Sequence, residues 1–174
     1  MKRLTLILTL LLVAMFGSSL LAQENNTTAA DTSRAQNVFI ELGGQGLTFT
    51  ANYDSRFSKK RDGLGGRAGI GYLSINDERV TSIPFSLNYL LGKNGKYFEL
   101  GLGTTLFYST GFKKVFSMDN KKKEYEAEVV GTMSFFYRVQ PEDSGFAFRI
   151  GLSPVFGKDY FIPYYGGLSL GYTF

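Results

Sequence analysis

The chain ends Leu168-Ser169-Leu170-Gly171-Tyr172-Thr173-Phe174. Successive side chains of a strand point to opposite faces, so Leu168, Leu170, Tyr172 and Phe174 share one face while Ser169, Gly171 and Thr173 share the other. A face of large apolar and aromatic groups backed by small and polar ones is what a strand needs when lipid lies on one side and a polar interior on the other.

Upstream the same period of two continues almost without interruption from Val38 onward, and no stretch has helical spacing. Tyr72, Ile70 and Ala68 oppose Arg67, Gly69 and Gly71; Ile83, Phe85, Leu87, Tyr89 and Leu91 oppose Ser82, Pro84, Ser86 and Asn88. Phe98, Leu100, Leu102, Leu106 and Tyr108 oppose Glu99, Gly101, Gly103 and Thr105, and two further strands follow over 128–139 and 146–156 before the last over 162–174. Nearer the N-terminus the phase flips. Val38, Ile40 and Leu42 occupy even positions, whereas Leu47, Phe49, Ala51, Tyr53 and Phe57 occupy odd ones, with Gly43-Gly44-Gln45-Gly46 between. One unbroken strand would turn Glu41 toward lipid at a cost of several kcal/mol. A tight hairpin at the glycines, or a bulge there, removes the conflict, and the hairpin gives strands over 36–42 and 46–57 and a total of eight.

An even number of strands returns both ends of the chain to one side of the membrane. The connections agree with that parity: those after the second, fourth and sixth strands are short, Asn94-Gly95 is a strong two-residue hairpin signal, and the longest, 111–127, falls on the opposite side. The expected fold is all-β, an eight-stranded antiparallel up-and-down transmembrane barrel over 37–174. Twelve residues at about 3.3 Å each, tilted near 45°, span roughly 28 Å, close to the thickness of a hydrocarbon core. Tyr53, Phe57, Tyr89, Phe98, Tyr137, Phe146, Tyr172 and Phe174 would form one interfacial belt, and Tyr72, Tyr108, Phe156 and Tyr164 the other. A soluble lipocalin-like barrel also alternates, but it keeps its large side chains inside, and eight strands enclose too little space for all of those present here.

The N-terminus reads as a leader. Lys2 and Arg3 precede an apolar run of about 13 residues from Leu4 to Phe16, too short for the roughly 20 of a spanning helix, and the small residues up to Ala22 complete a secretory signal peptide over 1–22. Removing it leaves 17 basic against 15 acidic side chains, a formal +2, so the precursor's basic balance does not point to nucleic acid. Residues 23–36 are polar and aperiodic, expected as a flexible periplasmic tail. The chain has no cysteine, which excludes a disulfide framework and lipid attachment at a processed cysteine.

The terminal strand resembles the C-terminal signal that the barrel-assembly machinery reads on bacterial outer-membrane proteins, with Leu168, Leu170, Tyr172 and Phe174 as its residues. The whole mature chain resembles the small OmpA/OmpX/OmpW-type outer-membrane β-barrels, in particular those opening with E-L-G-G-x-G-L, here Glu41 to Leu47, and carrying N-Y-L-L-G-K, here Asn88 to Lys93. The resemblance implies the Gram-negative outer membrane as location and its lipids as partners; it implies no activity.

By alternation Glu41, Asp54, Arg56, Arg67, Glu99, Arg138 and Arg149 point into the barrel. Charges in a narrow lumen must pair or cost several kcal/mol each, so a salt-bridge network that plugs the barrel is expected. Four arginines against three carboxylates leave one positive charge for a water or an anion. Catalysis is not expected: the absence of histidine removes the serine-histidine constellations and, with the absence of cysteine, any strong transition-metal site, and no cofactor motif is present. The expectation is a non-catalytic structural or surface protein of the outer membrane with a largely plugged polar lumen. Two alternatives remain: transport of a small apolar ligand or of ions, and recognition or adhesion by external loops, where Lys113, Lys114, Lys121, Lys122 and Lys123 would face lipopolysaccharide phosphates.

Overall fold

The computed structural model of the chain describes residues 34–75, 78–110 and 126–174. The expected leader, most of the expected tail, and Lys113, Lys114, Lys121, Lys122 and Lys123 lie outside these residues.

Ten strands form one antiparallel sheet: β1 Gln36–Gly43, β2 Phe49–Arg56, β3 Gly63–Ile75, β4 Glu78–Lys93, β5 Lys96–Thr110, β6 Glu126–Val139, β7 Gly145–Leu152, β8 Val155–Phe156, β9 Phe161–Ile162 and β10 Gly166–Thr173. Each neighbours the next in sequence or continues its stave, and β5 pairs with β6 as well as β4, so the sheet closes into an eight-staved barrel. The seventh stave is β7 continued by β8, interrupted at Ser153-Pro154. Proline has no N–H for the ladder, but its carbonyl still accepts from Met133 N at 2.9 Å. The eighth is β9 and β10. Closure comes from β1 against β10, in register from Asn37↔Thr173 to Gly43↔Gly167, finished by reciprocal backbone bonds between Gln36 and Phe174 at 3.1 and 3.0 Å.

Alternation decides which side chains face out. Ile40, Phe49, Ile70, Leu87, Leu102, Val129 and Ile150 are all exposed on the outer wall, and so are Leu168, Leu170, Tyr172 and Phe174 of the terminal strand. An apolar band of this extent is far larger than a water-soluble monomer presents. Asn94 at φ 57° and Gly95 at φ 73° close the β4–β5 hairpin as a primed turn, with Lys93 opposite Lys96.

The question left open at the glycines is answered by a hairpin: β1 and β2 pair from Gln36↔Ser55 to Leu42↔Phe49. Its connection is not a surface turn. Gly44–Gly46 form a single 3-10 turn that is buried inside the barrel. Leu47, expected on the lipid face at the start of the second strand, sits instead at φ 61° and is buried. A left-handed residue reverses the chain, so the alternation counted back from Phe49 does not extend through it.

Candidate functional site

The lumen holds a single chain of alternating charge. Arg56 Nη2 meets Asp54 at 2.8 Å; Asp54 accepts from Arg138 Nη2 at 3.0 Å; Arg138 Nη1 reaches Glu99 at 3.2 Å; Glu99 accepts from Arg149; Arg149 Nη1 reaches Glu41 at 3.3 Å; and Glu41 accepts from Arg67 Nη2 at 2.5 Å. All seven side chains named from the sequence are in it, and all are buried. Two links run along the wall, Arg56 to Asp54 within β2 and Arg138 to Glu99 between the paired strands β6 and β5, and the others reach across the lumen. Asp54 on β2 and Arg138 on β6 stand on opposite staves, Glu41 on β1 joins β7 to β3, and Glu99 on β5 joins β6 to β7.

Both ends of the chain are arginines, and neutral dipoles meet the extra charge. Arg56 donates to Gly63 O at 2.9 Å and to Asn88 Oδ1 at 2.5 Å, while Asn88 Nδ2 donates to Asp54 at 2.6 Å. Arg67 donates to Asn52 Oδ1 at 3.1 and 2.8 Å and to Gln45 Oε1 at 3.3 Å. The positive charge that the sequence leaves for a water or an anion is thus spread over amide and carbonyl oxygens at two separate places. Aromatic rings take a further share: the Arg67 and Arg149 guanidiniums lie 5.0 and 4.6 Å from the Phe39 ring centre, and Arg149 lies 4.8 Å from that of Phe136.

Gln45, Asn52, Asn88, Phe39 and Phe136 are absent from the sequence-derived set. Parity alone turns Asn52, Asn88, Phe39 and Phe136 inward, and guanidiniums donate to amide oxygens and stack on aromatic rings as well as pairing with carboxylates. Gln45 carries no such signal, because its place depends on the turn folding inward.

Above the charges lies an apolar layer that the expectation of a largely plugged polar lumen did not include. Leu47, Val80, Phe107, Val130 and Val155 form a buried cluster, with Tyr160, Ile162 and Tyr165 packed against it. The 3-10 turn lies between the two layers: Thr105 donates to Gln45 O at 2.6 Å, and Tyr165 donates to Leu47 O at 2.5 Å. At this rim, burial pushes the Tyr160 phenol up to about 12, and Glu128 beside it acts in the same direction. At the other mouth Arg61 of the β2–β3 turn reaches across to the carbonyls of Pro141 and Asp143 at 3.3 and 3.4 Å. Among the described residues no group of three potential ligands is gathered for a metal ion.

The backbone of the barrel is similar to that of a solved structure. This is the N-terminal β-barrel domain of OprF from Pseudomonas aeruginosa, which superposes with a TM-score of 0.57 at 11% identity, over 83% of this chain and 98% of that one. Both are closed antiparallel β-barrels. At such identity the likeness is one of fold alone. No protein-family profile matches the chain, and no curated protein matches it in sequence.

Proposed function

We propose that this protein is a small integral outer-membrane barrel with a structural role in the envelope, sealed against the passage of ions and solutes, exported by a signal peptide and inserted by the barrel-assembly machinery. The observation that supports it is the cross-braced charge chain. Glu41, Arg56 and Glu99 have no accessible surface. A water-filled path past them would expose these groups, since a continuous aqueous pore leaves its lining charges wet. The apolar layer above and the Arg61 strap below close the lumen at two further levels. The outer wall supports the membrane setting: its apolar band is flanked by Tyr53, Phe57, Tyr89, Phe98 and Tyr137 at the end where Gln36 meets Phe174, and by Tyr72, Tyr108 and Tyr164 at the other.

Recording in planar bilayers tests the sealed barrel. The purified protein is expected to insert without steady unitary current. Stable, reproducible single-channel conductance of the wild type would overturn this reading in favour of transport. Fractionation tests the setting, with recovery in the detergent-requiring outer-membrane fraction expected and recovery as a detergent-free periplasmic protein fatal to it.

A further inference from the structure

The outer wall carries a feature that a uniform lipid coat does not require. On the face turned to lipid, Leu64, Tyr89, Leu100 and Phe135 stand in one row across four staves, since Leu64 pairs with Tyr89, Tyr89 with Leu100, and Leu100 with Phe135. With Leu87 and Leu102 in the next row they line a shallow apolar groove. Two rows toward the termini end of the barrel, past Leu91 and Phe98, the same outward face ends in Lys93 opposite Lys96. Both are exposed, and neither makes an ion pair among the described residues. Like charges directly opposite on a sheet destabilise it, so this pair asks for an anion. Lys59 and Lys60, also exposed, lie on the neighbouring β2–β3 turn, and Asp62 is the one carboxylate on these two turns. The β6–β7 turn beside it carries exposed Glu142 and Asp143, and Glu142 and Asp62 line one hollow with Lys93 and Arg61, so the four lysines outnumber the carboxylates here.

We infer that this wall is a site for one anionic phospholipid of the inner leaflet, its phosphate between Lys93 and Lys96 and an acyl chain in the groove. The distance fits, because Leu100 and Lys96 are four residues apart on β5, about 13 Å along the strand, which places the phosphate at headgroup depth and the groove within the hydrocarbon. Lysines at that depth attract anionic headgroups, and aromatic residues between them and the groove occupy the interface. The inference rests on the membrane reading above.

Native mass spectrometry of the full mature protein, released from a neutral detergent with added phosphatidylglycerol or phosphatidylcholine of the same chain length, tests it. One phosphatidylglycerol is expected to remain bound in preference to phosphatidylcholine. Lys93→Gln/Lys96→Gln should weaken that binding by about fivefold per lysine, about twenty-five-fold for the pair, whereas Lys158→Gln at the opposite rim should leave it unchanged. The chain-free headgroup, glycerophosphoglycerol, should not displace the lipid. Heat-modifiable mobility on gels verifies that each variant is folded, and Lys93→Arg/Lys96→Arg should retain binding if the glutamine pair does not fold. Equal retention of the two lipids, wild-type affinity in a folded glutamine pair, or displacement by the chain-free headgroup would each overturn the site. If the protein floats with vesicles yet retains neither lipid, the site alone is wrong; if it does not float at all, the membrane reading fails first.

Discussion

Glu99 bridges two arginines in the lumen, accepting from Arg138 and from Arg149 on two adjacent staves. Replacing it with alanine leaves two buried guanidiniums facing each other without an anion between them. Breaking a buried pair in this way costs about 3 to 5 kcal/mol. Leu100, its neighbour on β5, faces out, and Leu100→Ala exchanges one apolar contact with lipid for another, so its cost should be well below that of Glu99→Ala. Urea unfolding of both variants in micelles or vesicles gives the comparison, and equal losses would show that the charge chain contributes nothing specific. Asp54 makes a second test: it accepts from Arg56, Arg138 and Asn88, so Asp54→Ala should match or exceed the Glu99 loss.

Among the elements, the inward-folded turn between β1 and β2 depends most on particular residues. Gly44 has φ +60°, and a Cβ there would stand 2.5 Å from the Glu41 carboxyl carbon. Gly63 at the start of β3 also has positive φ, +83°, but a Cβ there would meet nothing. Gly63→Ala should therefore cost only the backbone strain, about 1 to 2 kcal/mol, while Gly44→Ala adds displacement of Glu41 from Arg67 and Arg149 and should cost clearly more. Denaturant midpoints of the two variants measure the difference. This turn also marks the limit of what the sequence discloses. Strand parity is a two-fold choice at each position and needs only side-chain chemistry, so Asp54, Arg56, Arg67, Glu99, Arg138 and Arg149 are turned inward correctly from the sequence alone, and the Asn94-Gly95 hairpin follows from its residue types. Whether a glycine-rich connection leaves the barrel or enters it depends on what space the other six staves leave, which is a property of the closed sheet and not of residues 43–48. The apolar cluster was hidden for the same reason: Val80, Phe107, Val130 and Val155 come from four staves, and only Leu47 arriving from the turn joins them into a layer.

For the whole molecule the decisive contact is the seam between the first strand and the last. Phe174 exchanges both backbone bonds with Gln36 and leaves its ring on the outer wall. Deleting Phe174, or changing it to Asp, should lower the yield of heat-modifiable, folded barrel far more than Thr173→Ser does, and equal yields would show that the terminal aromatic is incidental. The seam pairs Asn37 with Thr173, and the braces inside also join distant parts of the sequence, Asp54 to Arg138 across 84 positions and Glu41 to Arg149 across 108.

These spans set an order of events. Each brace joins strands made far apart in time, so no carboxylate in the lumen can find its full set of partners until nearly the whole chain exists. A sheet of six or seven staves pressed into the bilayer would carry unpaired Arg and Glu, together with two raw strand edges, through hydrocarbon that solvates none of them. On the proposed membrane reading, closing the seam and completing the charge chain belong to the same event, because both need strands from the two ends of the barrel together.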